Sequence, residues 1–182
     1  IRISDLAAEL GVSYEPIRRD LEEMGQSGLI NRTYGGAVVR PFGFEPAWNE
    51  RFNAMTEERE RIAATAASLI EQREVLMIDA GSTTLHFARR LAAEAKNLTI
   101  VTNCFAVAMA FSTNPTITVL ACPGEYDPHD GSVMGPDTIN YLGRFNANRA
   151  VIGASGITVE GPNDVHSSAA AVKRAMLQRS QE

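Results

Sequence analysis

Four short apolar runs, each followed by a helical pattern, leave few folds open to this chain. Val75–Asp79 (VLMID), Leu98–Thr102 (LTIVT), Ile117–Ala121 (ITVLA) and Arg149–Ser155 (RAVIGAS) read as strands. Helices are expected from AGSTT to about Ala95, from about Phe105, from about Pro136 to Gly143, and from about Ser168 to Gln178. Another is expected ahead of the first strand, from about Glu57 to Gln72, with Ile62, Ala66, Leu69 and Ile70 inward. A strand that is apolar throughout is buried on both faces, which is the situation of parallel strands joined by crossover helices. The expected fold class is α/β, with a mostly parallel sheet. The pattern stops after a helix, so a closing strand is expected beyond it.

The first forty residues follow a different grammar. Ile1–Ile3 reads as a short strand, and Ser4 can cap a helix from Asp5 to Leu10, with Leu6 and Leu10 buried. Gly11 can end that helix in a left-handed conformation. Ser13 then caps a helix from about Tyr14 to Gln26, with Pro16 in its first turn, where a missing N–H does little harm. Ile17, Leu21 and Met24 recur at i, i+4, i+7 and face a core, leaving Tyr14, Glu15, Arg18, Arg19 and Glu22 outside. Gly28–Ala37 (GLINRTYGGA) opens a strand pair reaching about Val39, with Arg32 on it and a Gly-Gly near its tip. Helix, turn, recognition helix and wing is the order that puts one helix in a DNA major groove and a hairpin against the backbone. Ser13, Tyr14, Arg18, Arg19 and Arg32 are the expected DNA contacts. The pattern opens mid-motif, so a preceding helix is expected.

The chain has 182 residues, 45% of them hydrophobic, enough for one ordinary domain and a small one. The division expected is residues 1–40, a linker over 41–56, and a second domain over 57–182. The linker combines Pro41, Gly43 and Pro46 with Phe42, Phe44, Trp48 and Phe52. Four aromatics suit a segment that docks on a domain or a partner subunit better than a free tether. The net charge of −5 argues against a protein that coats nucleic acid by charge alone. Yet 15 of the 17 basic residues are Arg, the type suited to phosphate and guanine. No apolar run approaches the roughly 18–20 residues of a membrane span. Cys104 and Cys122 have no metal-like spacing and read as buried thiols of a cytoplasmic protein.

Ala80–Thr84 (AGSTT) follows a strand and opens a helix, so Gly81 and the hydroxyls of Ser82, Thr83 and Thr84 stand beside free helix N–H groups. That arrangement suits a phosphate, or simply a capped helix. It lacks the Lys and spacing of a nucleotide-triphosphate loop. Thr102, Asn103 and the Gly124–Gly131 loop end the next two strands, where ligands of open α/β sheets sit. Lys173 and Arg174 could neutralise a phosphate or line a solvated helix face. The histidines, His86, His129 and His166, are not spaced as metal ligands, and no nucleophile elbow is present. No catalytic residue, metal or cofactor is expected.

These motifs, in this order, resemble the DeoR family of bacterial transcriptional regulators. GVSYEPIRRDL resembles its recognition helix and LINRTYGGA its wing. DAGSTT (Asp79–Thr84), VTN (Val101–Asn103), VIGASGI (Val151–Ile157) and AAVKRAM (Ala170–Met176) resemble its sensor domain. The resemblance implies a winged helix-turn-helix followed by a sensor domain similar in fold to ribose-5-phosphate isomerase. It implies a dimeric or tetrameric repressor of sugar metabolism, bound to operator DNA and released by a phosphorylated sugar. It also implies an effector site of Asp79, Gly81, Ser82, Thr83, Thr84, Thr102, Asn103, Gly124 and Lys173. Gly153, Ser155 and Gly156 stand where the isomerases carry acidic residues, so binding without catalysis is implied. Pro16 replaces the family's usual Thr, and SSAAAVK lacks the acidic residues often found before AAVK. An isomerase or transferase of the same fold, and an assembly module using its helix-turn-helix on protein, remain the alternatives.

Overall fold

The computed structural model describes residues 1–26, 30–39, 51–52 and 54–182. Gly28 and the linker residues Pro41, Phe42, Gly43, Phe44, Pro46 and Trp48 lie outside the described residues. The chain divides into two compact units, residues 1–44 and 45–182.

The first unit holds helix α1 (Ile3–Leu10), helix α2 (Tyr14–Gln26) and an antiparallel hairpin of β1 (Ile30–Thr33) and β2 (Gly36–Val39). Gly11 adopts the left-handed conformation expected of it, its N–H donating to the Ala7 carbonyl. Ser4 is no cap: α1 begins two residues earlier than expected, after Arg2, and the Ser4 hydroxyl bonds Asp5 instead. Ala7, Ile17, Leu21, Ile30 and Ala37 form the core, with Ile3 and Leu6 against it. Leu10 and Met24, expected inside, are 59% and 39% exposed among the described residues. The strand expected at Ile1–Ile3 survives as one bridge, Arg2 to Gly36, with the Ala37 N–H donating to the Ile1 carbonyl. This chain segment crosses β2 so closely that a Cβ on Gly36 would collide with the Ile1 carbonyl oxygen.

The second unit is a three-layer α/β/α arrangement. Its parallel sheet has the order β5 (Thr118–Ala121), β4 (Thr99–Thr102), β3 (Val75–Ile78), β8 (Arg149–Val151). Alternation along each strand feeds two cores. Leu76, Ile78 and Ile100 point to one face, under α3 (Thr56–Ala67), α4 (Ser82–Glu94) and α5 (Phe105–Ala110). Met77 and Val101 point to the other, under α6 (Pro136–Leu142) and α7 (Ser167–Gln178). Residues Arg179–Glu182 run beside β8, with the Ala150 N–H donating to the Glu182 carbonyl.

Helix α3 is shorter than expected, and its buried side is Ala63 rather than the large residues. Ala66, Ala67 and Ile70 pack beside it, while Ile62 and Leu69 are 53% and 60% exposed. Small residues let α3 and α4 lie close, which a periodicity argument weighted by size misses. Two short hairpins add to the expected elements: β6 (Glu125–Asp127) with β7 (Ser132–Met134), and β9 (Gly156–Thr158) with β10 (Gly161–Asn163).

Candidate functional site

In the first unit, α2 carries the residues expected to read DNA. Ser13, Tyr14, Arg18 and Arg19 are all exposed, Tyr14 at 63%. Arg18 forks onto Glu15, one turn back, at 2.6 Å, and that hydrogen bond holds the Glu15 carboxyl below its usual range. Arg32 is braced within the unit: its guanidinium donates to the Gly36 carbonyl at 3.1 Å and lies 3.7 Å from Glu22. It thereby ties the hairpin to α2. Tyr34, fully exposed at the hairpin tip, is absent from the expected contacts, although its place between Thr33 and Gly35 makes it the wing's outermost side chain.

In the second unit, the carboxyl ends of β3, β4 and β8 meet. Pairing Ile78 with Thr102 and Val151 places Asp79 and Asn103 side by side at the carboxyl end of the two central strands. Asp79 is 2% exposed, and the Gly153 N–H lies 3.4 Å from its carboxylate. Burial pushes Asp79 up to about 6, against the pull of Lys173. Lys173 reaches in from α7, 3.4 Å from Asp79 and in a short ion pair with Asp164. Burial alone would lower Lys173, but the two carboxylates outweigh it and hold the ammonium above its usual value. Asp164, which burial alone would raise, is held below its usual range by Lys173 and the His166 N–H.

A cavity of about 20 Å³ is lined by Arg51, Asp79, Ala80, Gly81, Asp130, Ser132, Asp164, Ala169 and Lys173. An adjoining cleft of about 300 Å³ shares Asp164 and Lys173 and runs along Gly153, Asn163 and Arg174. Arg51 meets Asp130 at 2.7 Å. The Ser132 hydroxyl and the Asn103 Oδ1 are buried without a hydrogen-bond partner among the described residues. Buried polar atoms of this kind are ordinarily completed by water or by a ligand.

Helix α4 begins at the cavity. Gly81 precedes it with no side-chain cap, and no acidic residue stands in its first turn. Ser82 is buried and Thr83 half-buried, whereas the Thr84 hydroxyl donates back to the Asp79 and Gly81 carbonyls at 2.8 and 3.0 Å. Thr102 is similarly engaged, its hydroxyl accepting the Cys104 N–H at 3.1 Å. Gly124 does not line the cavity. Its left-handed φ of 150° and its approach to Met134, whose carbonyl would lie 2.6 Å from an added Cβ, give it a packing reason to be glycine.

Residues 54–182 match the DeoR C terminal sensor domain, and residues 1–40 match the DeoR-like helix-turn-helix domain. The chain belongs to the DeoR family. It is 33% identical to the "Glycerol-3-phosphate regulon repressor" of Escherichia coli (strain K12) over 161 residues, 88% of this chain and 64% of that protein. The "HTH-type transcriptional repressor CsqR" of the same organism is 31% identical over 161 residues, 88% of this chain and 61% of that protein. The "HTH-type transcriptional repressor GlcR" of Bacillus subtilis (strain 168) is 28% identical over 183 residues, 100% of this chain and 70% of that protein. The chain thus spans less than two thirds of the length of the first two.

Within this DeoR sensor unit, the structure draws Asp79, Gly81 and Lys173 from the expected set onto one cavity, with Asn103 beside it. It adds Arg51, Ser132 and Asp164, which the motifs do not include, and Asp130 from within the Gly124–Gly131 loop expected at the strand ends. Asp164 lies nine positions before Lys173 in GPNDVH, in the loop leading into α7, and Asp130 lies in the β6–β7 turn. For Asp164 the available signal is an acidic residue in a Gly/Pro-rich loop ahead of a helix start, and for Asp130 it is its place in the Gly124–Gly131 loop. No described helix is long and apolar enough to cross a membrane.

Proposed function

We propose that this protein is a DNA-binding repressor of a sugar-metabolism operon, released from its operator by a phosphorylated sugar. The observation that carries the effector half is one polar site in two parts: a cavity of about 20 Å³, room for a single water-sized group, joins the Gly81 end of α4 to Lys173 and three carboxylates, and the cleft of about 300 Å³ that shares Lys173 and Asp164 with it supplies the room a sugar phosphate needs. A helix N-terminus stabilises a phosphate, and carboxylates accept hydrogen bonds from sugar hydroxyls. In this reading the phosphate meets Gly81, Ser82, Thr83 and Lys173, while Asp79, Asp130 and Asp164 take the hydroxyls. Thr84 and Thr102 hold the backbone around the site, and Gly124 shapes the loop beside it.

The DNA half rests on the exposed face of α2. Ser13, Tyr14, Arg18 and Arg19 face the groove or its phosphates, with Arg18 exchanging Glu15 for phosphate on binding. Arg32 keeps the wing in place for Tyr34 rather than contacting the backbone itself. The working form is a homo-oligomer in the bacterial cytoplasm. Exposed apolar residues on α3 and the β9–β10 hairpin, Ile62, Ile157 and Val159, suit contact between copies, and two buried free thiols suit a reducing compartment. Residues 1–40, 41–56 and 57–182 act as reader, connector and sensor.

A thermal-shift screen of sugar phosphates tests the effector site. A ligand at 100 times its dissociation constant adds about 2.7 kcal/mol to native stability by mass action. At least one phosphorylated sugar is expected to raise the melting temperature, while the unphosphorylated sugar does not. Ser82→Ala and Lys173→Ala are expected to blunt that shift; an unchanged shift in both would remove the phosphate from this site.

A further inference from the structure

His129 and His166, far apart in sequence, meet beside the sensor cavity. Their ring centroids are 5.9 Å apart, the rings set edge to face. With Asp130 they form a trio whose ligating atoms all lie within 4.8 Å of one another. We propose that His129, Asp130 and His166 form a binding site for a divalent transition metal of the zinc class.

The donor set is that of a borderline cation. Two imidazoles and one carboxylate suit Zn²⁺, Co²⁺ or Ni²⁺ far better than Mg²⁺ or Ca²⁺, which take oxygen ligands. With bonds of about 2.0–2.2 Å, ligand atoms on one tetrahedral ion stand roughly 3.3–3.6 Å apart, so closure needs movements of about an ångström. The two histidines can supply them: His129 is 45% exposed on the β6–β7 turn and His166 is half-buried at the start of α7. Their backbones, by contrast, are fixed in the same way. The His129 N–H donates to the Asp127 carboxylate at 2.8 Å and the His166 N–H to Asp164 at 2.9 Å. Each histidine therefore pivots from an anchored turn.

The charge around the trio is mixed rather than repulsive. Asp127 and Asp164 flank the histidines, Arg51 pairs with Asp130, and Lys173 pairs with Asp164. Three protein ligands leave at least one coordination position for water or another oxygen donor. Asp130 also lines the cavity, so an ion here draws the β6–β7 turn and the start of α7 together at the cavity's wall. The inference concerns metal binding alone and does not depend on which effector the cavity takes.

Zinc competition with a chromogenic chelator, together with the visible absorption of bound Co²⁺, tests the site on the purified protein. The expected result is one ion per chain with micromolar or tighter affinity, not displaced by excess Mg²⁺. His129→Gln and His166→Gln are each expected to weaken binding at least tenfold, and Asp130→Asn to weaken it as well. The chain's remaining histidine, His86, lies in helix α4, outside the trio. Unchanged affinity in the double histidine variant would overturn the proposal, as would failure of the unmodified protein to take up zinc or cobalt. Circular dichroism on each variant separates lost ligation from lost folding: a folded variant that still binds as tightly counts against the site.

Discussion

Asp79 is the residue on which the sensor unit's electrostatics turn. Its carboxyl is pushed up to about 6 from a reference of 3.8, so the folded state favours its protonated form. A raised acid contributes stability below its unfolded pKa and loses that contribution as pH rises through its folded pKa. Each tenfold change in an acid's ionisation constant is worth about 1.4 kcal/mol. Burying the Asp79 charge therefore costs on the order of 3 kcal/mol above pH 6 relative to below pH 4. Asp79→Asn is expected to flatten the fall in stability between pH 4 and pH 7, measured by urea denaturation across that range. A wild-type slope that survives the substitution would place the cost elsewhere. Lys173 keeps its firmer partner, Asp164, in either case.

At the scale of elements, small residues decide where large ones can go. Ala63 lets α3 lie on α4, and Gly36 lets the first residues of the chain cross the wing. Gly36→Ala is expected to destabilise the first unit by about 1–3 kcal/mol, since the added methyl meets backbone that cannot move aside cheaply. Thermal melts of the purified protein check this, and an unchanged first-unit transition would show that the crossing is loose. The parallel strands, α2 and the Gly11 turn are legible in sequence because period, propensity and turn chemistry agree there. Leu10, Met24, Ile62 and Leu69 point inward on hydrophobicity alone, which reports what a residue can bury and not what lies opposite it. The β6–β7 and β9–β10 hairpins have three-residue strands, too short for any alternation to register. For the same reason the site is only half legible. Asp79, Gly81 and Lys173 sit in motifs with fixed spacing and Asp130 in the loop expected after the third strand, whereas Ser132 and Asp164 sit in or beside hairpins that only the fold brings to the cavity.

At the scale of the molecule, release from DNA by an effector needs a ligand that distinguishes two states of the reader. A ligand shifts an equilibrium only by its difference in affinity for the two states. Phe52, just ahead of α3, stacks on His86 at 5.0 Å and carries the Arg89 guanidinium 4.6 Å from its ring centre, so this segment is held to α4, the helix that starts directly after the cavity-lining Gly81. That gives the cavity a physical path toward the connecting segment. The direct measurement is fluorescence anisotropy of the intact protein on labelled DNA from its own upstream region, with and without the sugar phosphate identified by thermal shift. Allosteric couplings of about 1–3 kcal/mol correspond to changes of roughly 5–150-fold. The account predicts that the effector weakens DNA binding within that range, and that Lys173→Ala keeps DNA affinity but loses the response. A sugar phosphate that binds tightly and leaves operator affinity unchanged would contradict it.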